Sequence, residues 1–87
     1  MNRAIKALLT TLLNQKIIGA KHTIENRIIK SKTKYLEKQE KKDFTKEYKQ
    51  LINNNIIIRI KKRTGKGKDW HISLNAKKVQ EIIRWLT

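Results

Sequence analysis

Around Asn54 and Asn55 the spacing of apolar residues changes from the period of a helix to that of a strand, and this switch restricts the fold more than any other feature. Upstream, Phe44, Tyr48, Leu51 and Ile52 recur at i, i+4, i+7 and i+8, the buried stripe of a helix that Asp43 can cap. Asn54 and Asn55 end it, because Asn tolerates the left-handed conformation that a helix C-terminus often needs. Downstream, Ile56, Ile58 and Ile60 alternate with Ile57, Arg59 and Lys61, which predicts a strand with one apolar and one largely basic face. "TGKGK" supplies a five-residue loop in which Gly65 and Gly67 can take positive φ angles. Trp70, Ile72 and Leu74 then alternate with His71 and Ser73 on a return strand. Two strands are marginal alone. Ile56, Ile58, Ile60, Trp70, Ile72 and Leu74 are therefore expected to face a helical layer.

That layer is legible on either side. Ile5, Leu8, Leu9, Leu12 and Leu13 define one broad apolar face on a first helix from about residue 2 to 15. Gly19 is a stop or bend, and Thr23 is placed to cap a second helix carrying Ile24, Ile28 and Tyr35 on one side, with Ile29 and Leu36 at its margin. "EKQEKKD" has no apolar residue for seven positions and reads as a charged loop or a solvated extension of that helix. Asn75 can cap a last helix with Val79, Ile82, Ile83 and Leu86 on its apolar face. The expectation is one α+β domain over residues 1–87, mostly helical: a three-helix core, a β-hairpin and a C-terminal helix.

The chain has 87 residues, with 22 Lys and Arg against seven Asp and Glu, a formal charge of +15. Charge of that size repels itself unless a polyanion neutralises it, so nucleic acid or an anionic membrane is the expected partner. A thermophile-like ionic surface would bring Glu in similar number. The cations are spread over turns and strands rather than along one amphipathic helix, which disfavours the membrane. The N-terminal "MNRAIKALLTTLLNQK" has the look of a signal peptide, but its apolar residues recur at helical spacing with Thr10, Thr11 and Asn14 among them. It is read as a domain helix of a cytoplasmic protein. There is no cysteine, so thiolate metal sites and disulfides are excluded. His22 and His71 have no metal-ligand partner at helical or hairpin spacing, the carboxylates form no acid and base pair, and "GKGK" lacks the spacing of a phosphate-cradling loop. No catalytic residue, metal or cofactor is assigned, and an enzyme is not expected.

Taken together, the order of elements and "LINNNIIIRIKKRTGKGKDWHISLN" resemble the winged helix-turn-helix family, small archaeal members in particular, over essentially the whole chain. The resemblance implies a winged-helix fold in which the third helix is the recognition helix and the hairpin is the wing. It departs from the family in one place, since a tight turn usually joins the second and third helices where this chain has "EKQEKKD".

The residues that would carry binding follow. With Phe44, Tyr48, Leu51 and Ile52 inward, Lys42, Lys46, Lys49, Gln50 and Asn53 cluster on the opposite side of the third helix, and Glu47 falls on its flank. Lys can meet phosphates or guanine edges, and Gln and Asn adenine edges, as a major-groove helix requires. Arg59, Lys61, Lys62, Arg63, Lys66 and Lys68 lie within ten residues with no acid before Asp69, suited to the backbone or minor groove. Arg27, Lys30 and Lys34 share a face of the second helix, as phosphate contacts or as a merely solvated surface. Phe44, Tyr48, Tyr35 and Trp70 are expected in the core rather than as a stacking platform. Trp85 is either a loosely buried core residue or the anchor of a homodimer contact with the first helix. The expected function is double-stranded DNA binding, by a small transcriptional regulator or a nucleoid-associated protein. An RNA or ribonucleoprotein module is the alternative, and a protein-interaction module the third reading.

Overall fold

The computed structural model describes every residue but Lys66, and of Thr64 and Lys68 the backbone alone. Four α-helices and three strands are formed among these residues: α1 (Arg3–Asn14), β1 (Thr23–Ile24), α2 (Glu25–Thr33), α3 (Lys38–Asn53), β2 (Ile57–Thr64), β3 (Gly67–Leu74) and, after a 3₁₀ turn at Ala76–Lys78, α4 (Val79–Leu86). The strands make one antiparallel sheet in the order β1-β3-β2.

The core is built on α1. Ile5, Leu8, Leu9 and Leu12 are fully buried, and around them close Ile28 and Leu36, Phe44, Ile56 and Ile57, Ile72 and Leu74, and Ile82. Asn2 starts the helix, its side-chain oxygen accepting from the Ala4 and Ile5 amides at 2.8 and 3.3 Å. The helix ends with Lys16 at φ 55°, the Ile17 amide donating to the Leu12 carbonyl and the Lys16 amide to that of Leu13. The same paired closure ends α3, where Asn55 at φ 61° lets the Ile56 amide reach Leu51 and its own amide reach Ile52.

β3 is the strand on which the sheet converges. It pairs with β2 from Ile57↔Leu74 to Thr64↔Gly67 and with β1 at Thr23↔Ile72 and Ile24↔His71. Its Leu74 also exchanges backbone bonds with the chain leaving α1, the Gly19 amide donating to its carbonyl and its amide donating to the Ile17 carbonyl. Gly19, at φ 64°, then turns the chain so that Thr23 returns antiparallel.

Several expectations are corrected. Thr23 is a strand residue rather than a helix cap, and α2 follows Ile24 with no side-chain cap. The second helix stops at Thr33, so Tyr35 projects from the next turn at 81 % exposure while Leu36 takes the core position. "EKQEKKD" is no loop: α3 begins at Lys38, Asp43 lies inside it, and only residues 34–37 separate α2 from α3. The parity of β2 is also reversed. Ile56 is buried as the residue closing α3, the strand proper starts with buried Ile57, and alternation from there puts Ile57, Arg59 and Lys61 on the same side as Leu74, Ile72 and Trp70. Ile58 and Ile60 lie on the other face with Ser73 and His71, outside the core.

Lys16 sits in a backbone region that costs a residue with a Cβ about 1 kcal/mol or more, partly offset by the greater unfolded-state entropy of glycine. Lys16→Gly is expected to raise unfolding stability by roughly 0.5–1 kcal/mol, and Asn55→Val to lower it by about 1–2 kcal/mol. Urea denaturation of the two variants, with unchanged m-values, measures both.

Candidate nucleic-acid interface

The acids and cations of α3 occupy different flanks. Glu40, Asp43 and Glu47 lie on the side toward the N-terminus of α1 or against neighbours within α3. Glu40 bonds Arg3 at 3.1 Å, Asp43 accepts from Gln39, and both carboxylate oxygens of Glu47 accept the Asn2 amide at 3.2 Å. Lys42, Lys49 and Asn53 lie around the opposite side, and Lys46 lies at its edge, sharing a hollow with Asn2, Asp43, Glu47 and Gln50. The early start of the helix adds Lys38 and Lys41, which share a shallow hollow with Lys42 and Thr45. Those two cations lie in the stretch read as loop or solvated extension. The signal for them is the spacing Lys38, Lys42, Thr45, Lys49, which continues one stripe. Gln50 is exposed but sits at the margin near the acids, lining one hollow with Glu47 and Trp85 and another with Asn2 and Asp43.

Lys61, Lys62 and Arg63 are exposed on the hairpin. Lys61 and Arg63 share the parity of Arg59, on the sheet face that carries the helices, whereas Lys62 lies opposite Asp69 on the other. Lys66 and the side chain of Lys68 lie outside the described residues. On α2 and the turn after it, Lys30 and Lys34 stand at the surface, with the Lys34 ammonium 5.0 Å from the Tyr35 ring centre. Arg27, also exposed, lines a hollow between α1 and α2 with Thr11, Gln15 and Ser31. The α2 residues that line the hollow shared with α3 and β2 are Glu25, Asn26 and Ile29.

Arg59 has a different role from its neighbours. Its guanidinium donates to both oxygens of Glu25 at 2.6 and 2.8 Å, and the Tyr48 hydroxyl donates to the same carboxylate at 2.7 Å. Glu25, 8 % exposed at the start of α2, thus joins α2, α3 and β2. Burial alone would push its carboxyl up, but the hydrogen bonds from Arg59 and Tyr48 and the Arg59 charge hold it below its ordinary value. Tyr48 moves strongly up, first by burial and then by its bond to Glu25, and Arg59 moves up through the same partner. The guanidinium also lies 3.9 Å from the centre of the Trp70 ring, with the Lys61 ammonium at 5.4 Å. Trp70 does not take the core position expected of it; it is 38 % exposed, and its cross-strand partner is Lys61 rather than an apolar residue. Beside this cluster, Asn26, Ile29, Thr45, Tyr48, Lys49 and Ile52 enclose a hollow of about 250 Å³ between α2, α3 and β2.

No described helix is long and apolar enough to cross a membrane, and the described residues hold no group of three or more His, Asp and Glu able to grip a metal ion. Compared with protein-family models, curated proteins and solved structures, the chain matches none significantly.

Because the folded Glu25 carboxyl titrates below its unfolded value near 4.5, its contribution is complete above that pH and is lost as pH falls toward the folded value. Glu25→Gln should therefore destabilise the protein near neutrality by roughly 1–3 kcal/mol, the lower part of that range reflecting the partial exposure of Arg59. The gap between the variant and the parent should narrow below pH 4.5, as followed by urea unfolding from pH 7 to pH 3.

Proposed function

We propose that the protein binds double-stranded DNA as a winged helix, with α3 in the major groove and the β2–β3 hairpin on the adjacent backbone or minor groove. The observation that carries this reading is the sorting of charge on α3. Its carboxylates are tied to Arg3, Gln39 and the Asn2 amide, and the face left over presents Lys38, Lys42, Lys49 and Asn53, with Lys46 at its edge, on the helix that shares the Glu25 cluster with the hairpin. A chain-wide excess of Lys would not by itself produce that separation.

The order helix, strand, helix, helix, hairpin supports the same reading, as does the four-residue connection at 34–37, which supplies the tight turn such a domain uses between its second and third helices. In this arrangement Lys61, Lys62 and Arg63 contact phosphates, Lys30 and Lys34 lie on the outer side of α2, and Asn53 is better placed than Gln50 to read a base edge. Phosphate contacts dominate over base contacts in number, which suits an abundant chromosome-associated protein, while Asn53 leaves room for a regulator with a preferred site. RNA is the competing polyanion. The described surface offers no open sheet of aromatics of the kind that reads single strands.

Self-association has an observation of its own. Met1 and Trp85 are exposed apolar residues around a hollow that also takes in Ile5, Leu51 and Ile56, on the α1–α4 side where the α3 acids lie.

Changing Lys61, Lys62 and Arg63 together to Ala should weaken binding to every duplex and lower the slope of log affinity against log salt by about one for each phosphate that is no longer neutralised. An unchanged slope removes the hairpin from the interface. In competition at physiological salt, duplex DNA should displace duplex RNA and single strands; preference for RNA overturns the DNA reading. Trp85→Ala should shift a dimer, measured by light scattering without nucleic acid, toward monomer, and a parent that is already monomeric ends the association reading.

A further inference from the structure

We propose that Trp70 is a stacking shelf for an unpaired base, so that the protein binds DNA containing such a base more tightly than intact duplex. The inference rests on the DNA-binding reading and adds a residue and a ligand feature to it.

Trp70 shares its strand parity with Ile72 and Leu74, which are completely buried, yet it is itself 38 % exposed. Its ring is met by two cations, the Arg59 guanidinium at 3.9 Å and the Lys61 ammonium at 5.4 Å, and more than a third of the residue stays exposed. A tryptophan that only closed a core would have apolar neighbours and little exposure.

The support beneath it is fixed. Arg59 is held by two hydrogen bonds to Glu25, and Glu25 by a third from Tyr48, so the position of the guanidinium that meets the indole is set by three elements of the fold. Ordering the ring on binding therefore costs little. The arrangement also explains why an arginine in the most basic part of the chain is bound to an acid. Its charge is offset by Glu25, and its use is as a fixed support for the indole rather than as a free phosphate ligand.

The ligand chemistry follows from what the surface offers. A flat aromatic flanked by cations attracts a π-faced ring attached to a phosphate, which describes a nucleotide. Lys61 and Arg63, on the same sheet face, can meet the phosphates on either side of it. A base inside an intact duplex has both faces covered by its neighbours and cannot use the shelf. A base whose partner is missing leaves the stack at much lower cost.

The test uses the full chain and two DNA ligands closed at both ends by non-nucleotide linkers. One is an intact duplex; the other has a single abasic residue, leaving the base opposite it unpaired. Phosphate count is equal, so the counterion contribution cancels in the comparison. The parent should bind the abasic ligand roughly tenfold more tightly, within the range that base–aromatic stacking gives. Trp70→Ala should lose that ratio while holding the intact duplex within about threefold of the parent, in keeping with a lost stack and retained phosphate contacts. In the Trp85→Phe protein, where Trp70 is the sole indole, the abasic ligand should quench emission more than the intact one, a readout that does not depend on the alanine variant folding. A parent that binds both ligands tightly and equally removes the shelf and leaves the DNA reading standing. A ratio retained in Trp70→Ala does the same. A parent that binds neither ligand overturns both.

Discussion

Glu25 is a carboxylate removed from water in a chain of net charge +15, and three elements are oriented by the way that burial is made tolerable. An isolated buried carboxylate costs several kcal/mol, so the Arg59 guanidinium and the Tyr48 hydroxyl have to come to it with good geometry. Glu25 begins α2, Tyr48 lies in the second half of α3, and Arg59 is the third residue of β2. Because the bonds are short and directional, the angle between the cationic face of α3 and the hairpin is set by hydrogen bonding as well as by apolar packing, which tolerates sliding. Replacing the trio with apolar side chains of similar volume could leave stability unchanged, but it would leave that angle to packing alone.

The second organising constraint is where the other acids go. With so few carboxylates, each one placed among the α3 cations would weaken any anion-binding face. Glu40, Asp43 and Glu47 fall instead along the flank that meets α1, where Glu47 accepts the amide of Asn2 and Glu40 meets Arg3. The surface ion pair is worth little by itself. The bond from Asn2 matters more, since Asn2 is also the cap of the helix on which the whole core is built. The same placement keeps these acids off most of the cationic face of α3 and anchors α1.

The sequence makes some of this legible and conceals the rest for identifiable reasons. The stripes of α1 and of the second half of α3 show because one side of each helix is buried along its length. The parity of β3 is readable from Trp70, Ile72 and Leu74, which do share a face. The parity of β2 is not, because Ile56, Ile57 and Ile58 offer an apolar residue at either phase, and the deciding contact is Arg59 reaching Glu25, 34 residues away. β1 has two residues and no period to detect. The first turns of α3 carry no apolar residue because they project beyond the core, so periodicity cannot fix where they start. Tyr35 and Leu36 are adjacent, and only the end of α2 at Thr33 decides which one turns inward. Of the site, the cations of α3 and the hairpin are visible as composition. The withdrawal of Arg59 into an ion pair is not, since it depends on a residue at the start of a distant helix, and the exposure of Trp70 is not, since the phase of β2 decides that its cross-strand partner is Lys61.

A compact state with this much like charge works against itself, and the cost rises as salt falls, because repulsion between exposed cations is screened out beyond about 10 Å at 0.1 M but reaches about 30 Å at 0.01 M. The apolar core must hold that repulsion with one central helix and a sheet of limited extent. In the proposed complex a polyanion lying along α3 and the hairpin would remove the repulsion where it is greatest and, to the extent that it favours the folded state, would add stability that grows as RT ln(1 + [L]/Kd). Binding and folding would then be linked through the same cations. The salt that weakens such a complex by screening phosphate contacts also relieves the free protein, so the two states would respond to ionic strength in opposite directions.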